Sequence, residues 1–150
     1  AGEVQGVTQP ALVLTPPQAA TDDTDGLLSM EDVLQLKLPN TEWVILSACN
    51  TGGEDGSGES LSGLARAFFY AGAKSLLVSQ WSVDDDATRA LMSAVFSRYG
   101  APRATFPAKA LQDGMLALLE QAGRDPARRY FAHPYAWAAF MLVGEGAIRN

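Results

Sequence analysis

The chain holds one cysteine, Cys49, and one histidine, His133. From these residue types a thiolate nucleophile and its general base are made. Cys49 follows the apolar run Trp43-Val44-Ile45-Leu46 and precedes a Gly-rich stretch that leads into a helical pattern. A cysteine at the carboxyl end of a buried strand is presented to the crevice where open α/β sheets place their sites. A helix N-terminus just after it favours the thiolate, and its backbone N–H could serve as an oxyanion donor. A buried structural cysteine fits the same position, because free Cys is among the most buried residue types. His133, in Ala132-His133-Pro134-Tyr135, is the only base available within the chain. A loop histidine that caps or packs beside a strand start explains it more simply than catalysis does.

Two other patterns bear on chemistry. The loop Gly52-Gly53-Glu54-Asp55-Gly56-Ser57-Gly58 has the glycines of a phosphate cradle, but no Lys in the P-loop position and two carboxylates that would repel phosphate. A loop beside an active site suits it better. Asp84-Asp85-Asp86 would suit a pocket for a basic substrate, but the capped start of a helix on a solvated turn explains each of them more simply. With one His, one Cys and no carboxylate–histidine spacing, no metal site is expected, and nothing calls for a cofactor.

The elements that must position these residues follow from periodicity and breakers. Strands are predicted at Ala11–Leu14, at Trp43–Leu46 (apolar on both faces, hence central), at Ser75–Trp81, and at Trp137–Val143 with Gly144 as its stop. Residues 18–26 read as a solvated loop. Ser29 with Asp32 predicts a capped helix start. Leu61, Leu64, Ala65, Phe68 and Phe69 mark a second helix with Gly72 at its cap. The Asp84–Asp86 run opens a third helix closed by Gly100, and a fourth runs from about Pro107 to Ala122 with Gly123 as its end. Residues 124–135 read as a polar, Pro-containing connection. Strands alternating with helices predict an α/β architecture with a mostly parallel sheet.

Composition bounds the rest. With 150 residues, 47% hydrophobic and 19% charged, the chain is long and apolar enough for one globular core. A net charge of -6 argues against nucleic-acid binding. A lone cysteine excludes an internal disulfide framework and points to a reducing, cytoplasmic setting. No apolar run approaches a membrane span, and Ala1 to Gly6 lack the features of a signal peptide. The absence of an initiator Met suggests a start inside a longer protein.

Val44-Ile45-Leu46-Ser47-Ala48-Cys49-Asn50-Thr51-Gly52 resembles the nucleophile strand of CHAT domains, bacterial relatives of caspases and separases. Leu61 to Ala73 resembles the family's next helix, Ser75 to Asp84 its following strand, and Pro134 to Gly144 its closing strand. Pro10 to Leu14 and Asp25 to Leu28 also fit, so the resemblance covers nearly the whole chain in order. It implies a three-layer α/β/α caspase-like fold, with residues 1–150 forming the C-terminal portion of a single domain. It also implies a cysteine peptidase dyad in which Cys49 is the nucleophile. The family's histidine lies in a His-Gly pair closing the preceding strand, which would fall before Ala1. His133 does not match it. Ser79, Gln80 and Trp81 match the segment that lines the substrate groove, where an extended peptide adds by backbone pairing. Asp84, by position, would contact a basic residue before the scissile bond. Similar proteins often carry helical repeats upstream that bind a regulator.

The leading reading is therefore part of a cysteine endopeptidase acting on polypeptides, its base supplied from outside the chain by the N-terminal remainder. An inactive caspase-like interaction module is the alternative, and a small-molecule-binding α/β domain a third. A sheet cut beside the nucleophile strand leaves an edge that invites self-association or pairing with the N-terminal piece.

Overall fold

The computed structural model describes residues 11–15, 26–46, 59–99 and 106–145. Two short strands, β1 (Ala11–Val13) and β2 (Leu27–Ser29), pair antiparallel with Ala11 opposite Ser29. The sequence pattern predicts no strand at Leu27–Ser29, because three residues carry no periodicity to read. Helix α1 (Met30–Gln35) follows directly. Its capping box is the one anticipated: Asp32 N–H donates to Ser29 Oγ at 3.1 Å, and Ser29 N–H donates to Asp32 Oδ2 at 2.8 Å.

The main sheet has the order β3 (Val44–Leu46), β4 (Ser75–Ser79), β5 (Phe140–Gly144). β3 runs parallel to β4 with Leu46 opposite Val78, and β5 runs antiparallel to β4 with Phe140 opposite Ser79. The fold is thus mixed helix and sheet, and among the described pairings only β3–β4 is parallel. The strand paired on both sides is β4, whose five residues are all buried. It takes the central place that the apolar run Trp43–Leu46 suggests for itself.

Side chains alternate across these strands, and the alternation sorts them between two cores. Leu46, Leu76 and Val78 join Val33 of α1 and Leu64, Ala67 and Phe68 of α2 (Glu59–Tyr70). Leu77 and Phe140 join Leu91 and Val95 of α3 (Asp85–Tyr99) and Leu118 of α4 (Pro107–Arg124), with Phe131 beneath them. Burying a Leu or Phe of this kind contributes about 1.5–3 kcal/mol each.

Several boundaries differ from expectation for local reasons. Trp137–Ala139 are not strand. Pro134 starts a short 3₁₀ turn (Pro134–Ala136), and the N–H groups of Trp137 and Ala138 both donate back to its carbonyl. Extended pairing begins only at Phe140. Gly144 does not stop the strand but completes it, opposite Ser75, at φ 106°. β4 ends at Ser79, two residues short of Trp81. The connection read as polar loop contains a second 3₁₀ segment, Pro126–Ala132, begun by Asp125, whose side chain accepts from Ala127 N–H at 2.9 Å. Gly100 lies outside the described residues.

Gly123 does not end α4, which runs through it to Arg124. It is exposed, and a Cβ there would meet nothing within 4 Å. Gly123→Ala is expected to stabilise the fold by about 0.5–1 kcal/mol, the helix-interior cost of glycine. Chemical denaturation checks this, as a higher midpoint with an unchanged slope.

Candidate functional site

The parallel pairing of β3 with β4 sets the site. The chain leaves β3 at Leu46, which stands opposite Val78. The segment after β4 leaves the sheet on that same carboxyl edge, where α/β sheets hold their sites. Cys49 stands three residues past Leu46. Cys49 and the Gly-rich loop to Gly58 lie outside the described residues.

Ser79, Gln80, Trp81 and Asp84 are all described. Ser79 is buried and opposite Phe140. Gln80 is exposed; its N–H donates to Ala139 O at 2.9 Å and its Nε2 donates to Met141 Sδ at 3.3 Å. Trp81 Nε1 donates to Tyr135 O at 3.2 Å, and the two rings stack at 5.9 Å between centroids. Asp84 caps α3, accepting Ala87 N–H at 3.0 Å, and also accepts the Tyr130 hydroxyl at 3.1 Å.

The residues at 130–141 therefore brace the whole 80–84 segment: Tyr130 holds Asp84, Tyr135 holds Trp81, and Met141 and Ala139 hold Gln80. The sequence pattern does not announce this bracing. The available signal is the density of aromatics (Tyr130, Phe131, Tyr135, Trp137) in a stretch that its prolines and charges mark as a connection.

His133 is exposed and occupied locally. Its Nδ1 accepts Tyr135 N–H at 3.2 Å, capping the Pro134 turn. The structure thus gives it the capping role that the sequence allowed. Among the described residues no group of three or more His, Cys, Asp or Glu side chains is placed to hold a metal ion. No described helix is long and apolar enough to cross a membrane.

The Ala87 N–H, more than any other group, holds the Asp84 carboxyl below its ordinary range, and the Tyr130 hydroxyl adds to this. Partial desolvation raises the Tyr130 hydroxyl above the usual tyrosine value, and the bond to Asp84 raises it further. The signs give two limbs. A lowered carboxyl contributes stability above its ordinary value and loses it as pH falls through the lowered one. A raised phenol contributes below its ordinary value and loses it as pH rises through the raised one. Tyr130→Phe is expected to remove the alkaline limb while the acid limb, carried by the Ala87 cap, persists. Melting temperatures of both proteins across pH check this. Superimposable alkaline limbs would refute it.

The CHAT domain family matches residues 5–145 of the chain. Human Tetratricopeptide repeat protein 28 is 32% identical over 127 residues, covering 83% of this chain and 5% of that protein. The mouse protein of the same name is 31% identical over 127 residues, with the same coverage. The chain thus spans about 5% of the length of the curated relatives it matches. Both are mammalian, whereas the resemblance seen in the sequence is to bacterial proteins. No solved structure matches the chain.

Proposed function

Because the chain belongs to the CHAT domain family, we propose that it is the nucleophile-bearing C-terminal portion of a caspase-like cysteine endopeptidase domain. Cys49 is the nucleophile, and the base is a histidine from outside this chain. The base deprotonates the thiol, the thiolate attacks a peptide carbonyl, the amine leaves with a proton from the base, and water hydrolyses the acyl-enzyme. The observation that carries this reading is the Leu46–Val78 register. It sets the end of β3, which leads to Cys49, beside the braced segment 79–84 on one edge of the sheet. The two cores on opposite faces of β4 support a three-layer arrangement.

In this reading Gln80 and Trp81 line the substrate groove, Ser79, expected there from the sequence, is buried in the sheet behind them, and Asp84 receives a basic side chain. Gln80 N–H is already bonded to Ala139 O, so backbone pairing with an extended peptide falls to Trp81 and the residues after it. The similarity to proteins named for tetratricopeptide repeats supports a module attached to a regulatory repeat domain, and the single cysteine supports a reducing, cytoplasmic setting. The test is cleavage of a peptide library by the complete protein, with its activator, against its Cys49→Ala variant. Equal cleavage by both would end the proposal.

One observation favours a second reading, an inactive interaction module: the chain's only histidine is engaged as a turn cap. That reading requires the complete wild-type protein to leave the whole library uncut.

A further inference from the structure

His133 stands at the joint of two short turns, Pro126–Ala132 and Pro134–Ala136. Its backbone N–H donates to Tyr130 O at 3.1 Å and closes the first turn. Its Nδ1 accepts Tyr135 N–H at 3.2 Å and its carbonyl accepts Ala136 N–H at 3.0 Å, opening the second. One exposed residue thus ties together the two tyrosines that reach the 80–84 segment, Tyr130 on Asp84 and Tyr135 on Trp81. We propose that His133 is a positioning residue of the candidate groove, fixing Trp81 through Tyr135 while taking no part in the chemistry.

The first support is how firmly an exposed side chain is held. Tyr135 is 56% exposed, yet it is fixed at three points. Its carbonyl accepts Trp81 Nε1 at 3.2 Å, its ring stacks on Trp81 at 5.9 Å and 26°, and its N–H donates to His133. Two of these points are Trp81 itself. The bond to His133 is the one that anchors the pair to the turn.

The second support is that few side chains make this bond. Nδ1 is separated from Cα by the same two atoms as the Oδ1 of asparagine, the residue that accepts an N–H two positions on in Asx turns. The other two bonds at position 133 are backbone bonds, open to any residue but proline. Replacing the side chain therefore loosens the Tyr135 arm and leaves the Tyr130 arm in place. With Nδ1 accepting, the ring proton lies on Nε2, so the nitrogen that faces the turn is committed to structure. A role in substrate binding rests on the reading of Trp81 as a groove residue; the link from His133 to Trp81 does not.

The experiment compares His133→Ala with His133→Asn. In the full chain, exchange of each tryptophan indole N–H with solvent is followed by NMR, with the Trp81 signal assigned from Trp81→Phe. Trp81 exchange is expected to rise about fivefold in His133→Ala, the size of one lost hydrogen bond, and to return to the wild-type rate in His133→Asn. Trp43 and Trp137, whose buried Nε1 atoms have no partner among the described residues, are the controls and should not change. In the complete, activated protein His133→Ala should raise KM about fivefold at constant kcat, and His133→Asn should restore it. Circular dichroism checks folding. If His133→Ala is unfolded, His133→Phe, which keeps a ring without an acceptor, takes its place. Unchanged Trp81 exchange in that variant, or no recovery in His133→Asn, would overturn the proposal. So would an equal rise at all three tryptophans, the mark of general loosening, or a fall in kcat, which would put His133 in the chemistry. If the wild type cleaves nothing, the peptidase reading falls by itself, and faster Trp81 exchange restored by asparagine still supports the link.

Discussion

Cys49→Ala is expected to lower turnover by the complete, activated protein at least ~10³-fold, the loss typical when a covalent nucleophile is removed and only binding groups remain. In the proposed reaction Cys49 and the 79–84 segment would serve different steps. A nucleophile forms the bond that exists only on the reaction path, so its loss appears in kcat. A groove segment, as proposed for 79–84, would contact substrate before and during reaction, so its loss would appear mainly in KM. Trp81→Ala removes the ring that stacks on Tyr135 and the Nε1 bond to Tyr135 O. Its expected effect is a rise in KM of roughly tenfold, the size of a lost aromatic contact, with kcat less affected. Steady-state kinetics on one cleaved peptide separates the two. A Cys49→Ala protein with unchanged kcat would remove Cys49 from the mechanism, whatever happens at Trp81.

The candidate site was legible in the sequence where residue type and strand end coincide, and illegible where support comes from afar. Cys49 stands out because a lone thiol follows the run Trp43–Leu46, which is apolar at every position. Asp84 stands out as the head of an acidic run, and its capping of α3 is a local contact that three residues encode. Its bond to Tyr130 spans 46 residues, and Trp81 reaches Tyr135 across 54; no local pattern reports either.

The fold divides the same way. Ser29 and Asp32 announced α1 because the capping box is a four-residue device. The end of α4 was misplaced because a glycine in an exposed helix costs only about 1 kcal/mol, which packing of Leu111 and Leu118 on α3 exceeds. The direction of β5 was unreadable because antiparallel pairing with β4 is decided by how two helices and two turns return the chain, not by the apolar run Phe140–Val143. What that run does encode is burial on one side. Phe140 and Leu142 join the core of α3 and α4, while Met141 between them is exposed.

Gly144→Ala is expected to destabilise the fold by about 3–4 kcal/mol, a large effect for a single added methyl group. Two costs act together. Gly144 has φ 106°, where a side chain costs about 1–2 kcal/mol. A Cβ there would stand 2.5 Å from Lys74 O, 2.9 Å from Phe69 Cε1 and 3.1 Å from Ser75 Cα. The Phe69 ring can give way, but the Lys74 carbonyl cannot. It accepts Glu145 N–H at 2.9 Å, and Ser75 Oγ donates to Glu145 O at 2.7 Å, so the backbones of β4 and β5 are tied at that point. Relieving the clash means opening the end of the β4–β5 ladder. The same ladder, at its other end, carries Ser79 opposite Phe140 and leads to Gln80. A drop in melting temperature of roughly 10 °C is expected, read by calorimetry. Gly123→Ala is the matched control, adding the same methyl to open space in a helix. Gly144→Ala and Gly123→Ala must move stability in opposite directions, and a Gly144→Ala protein as stable as wild type would show that the two strands do not meet in this register.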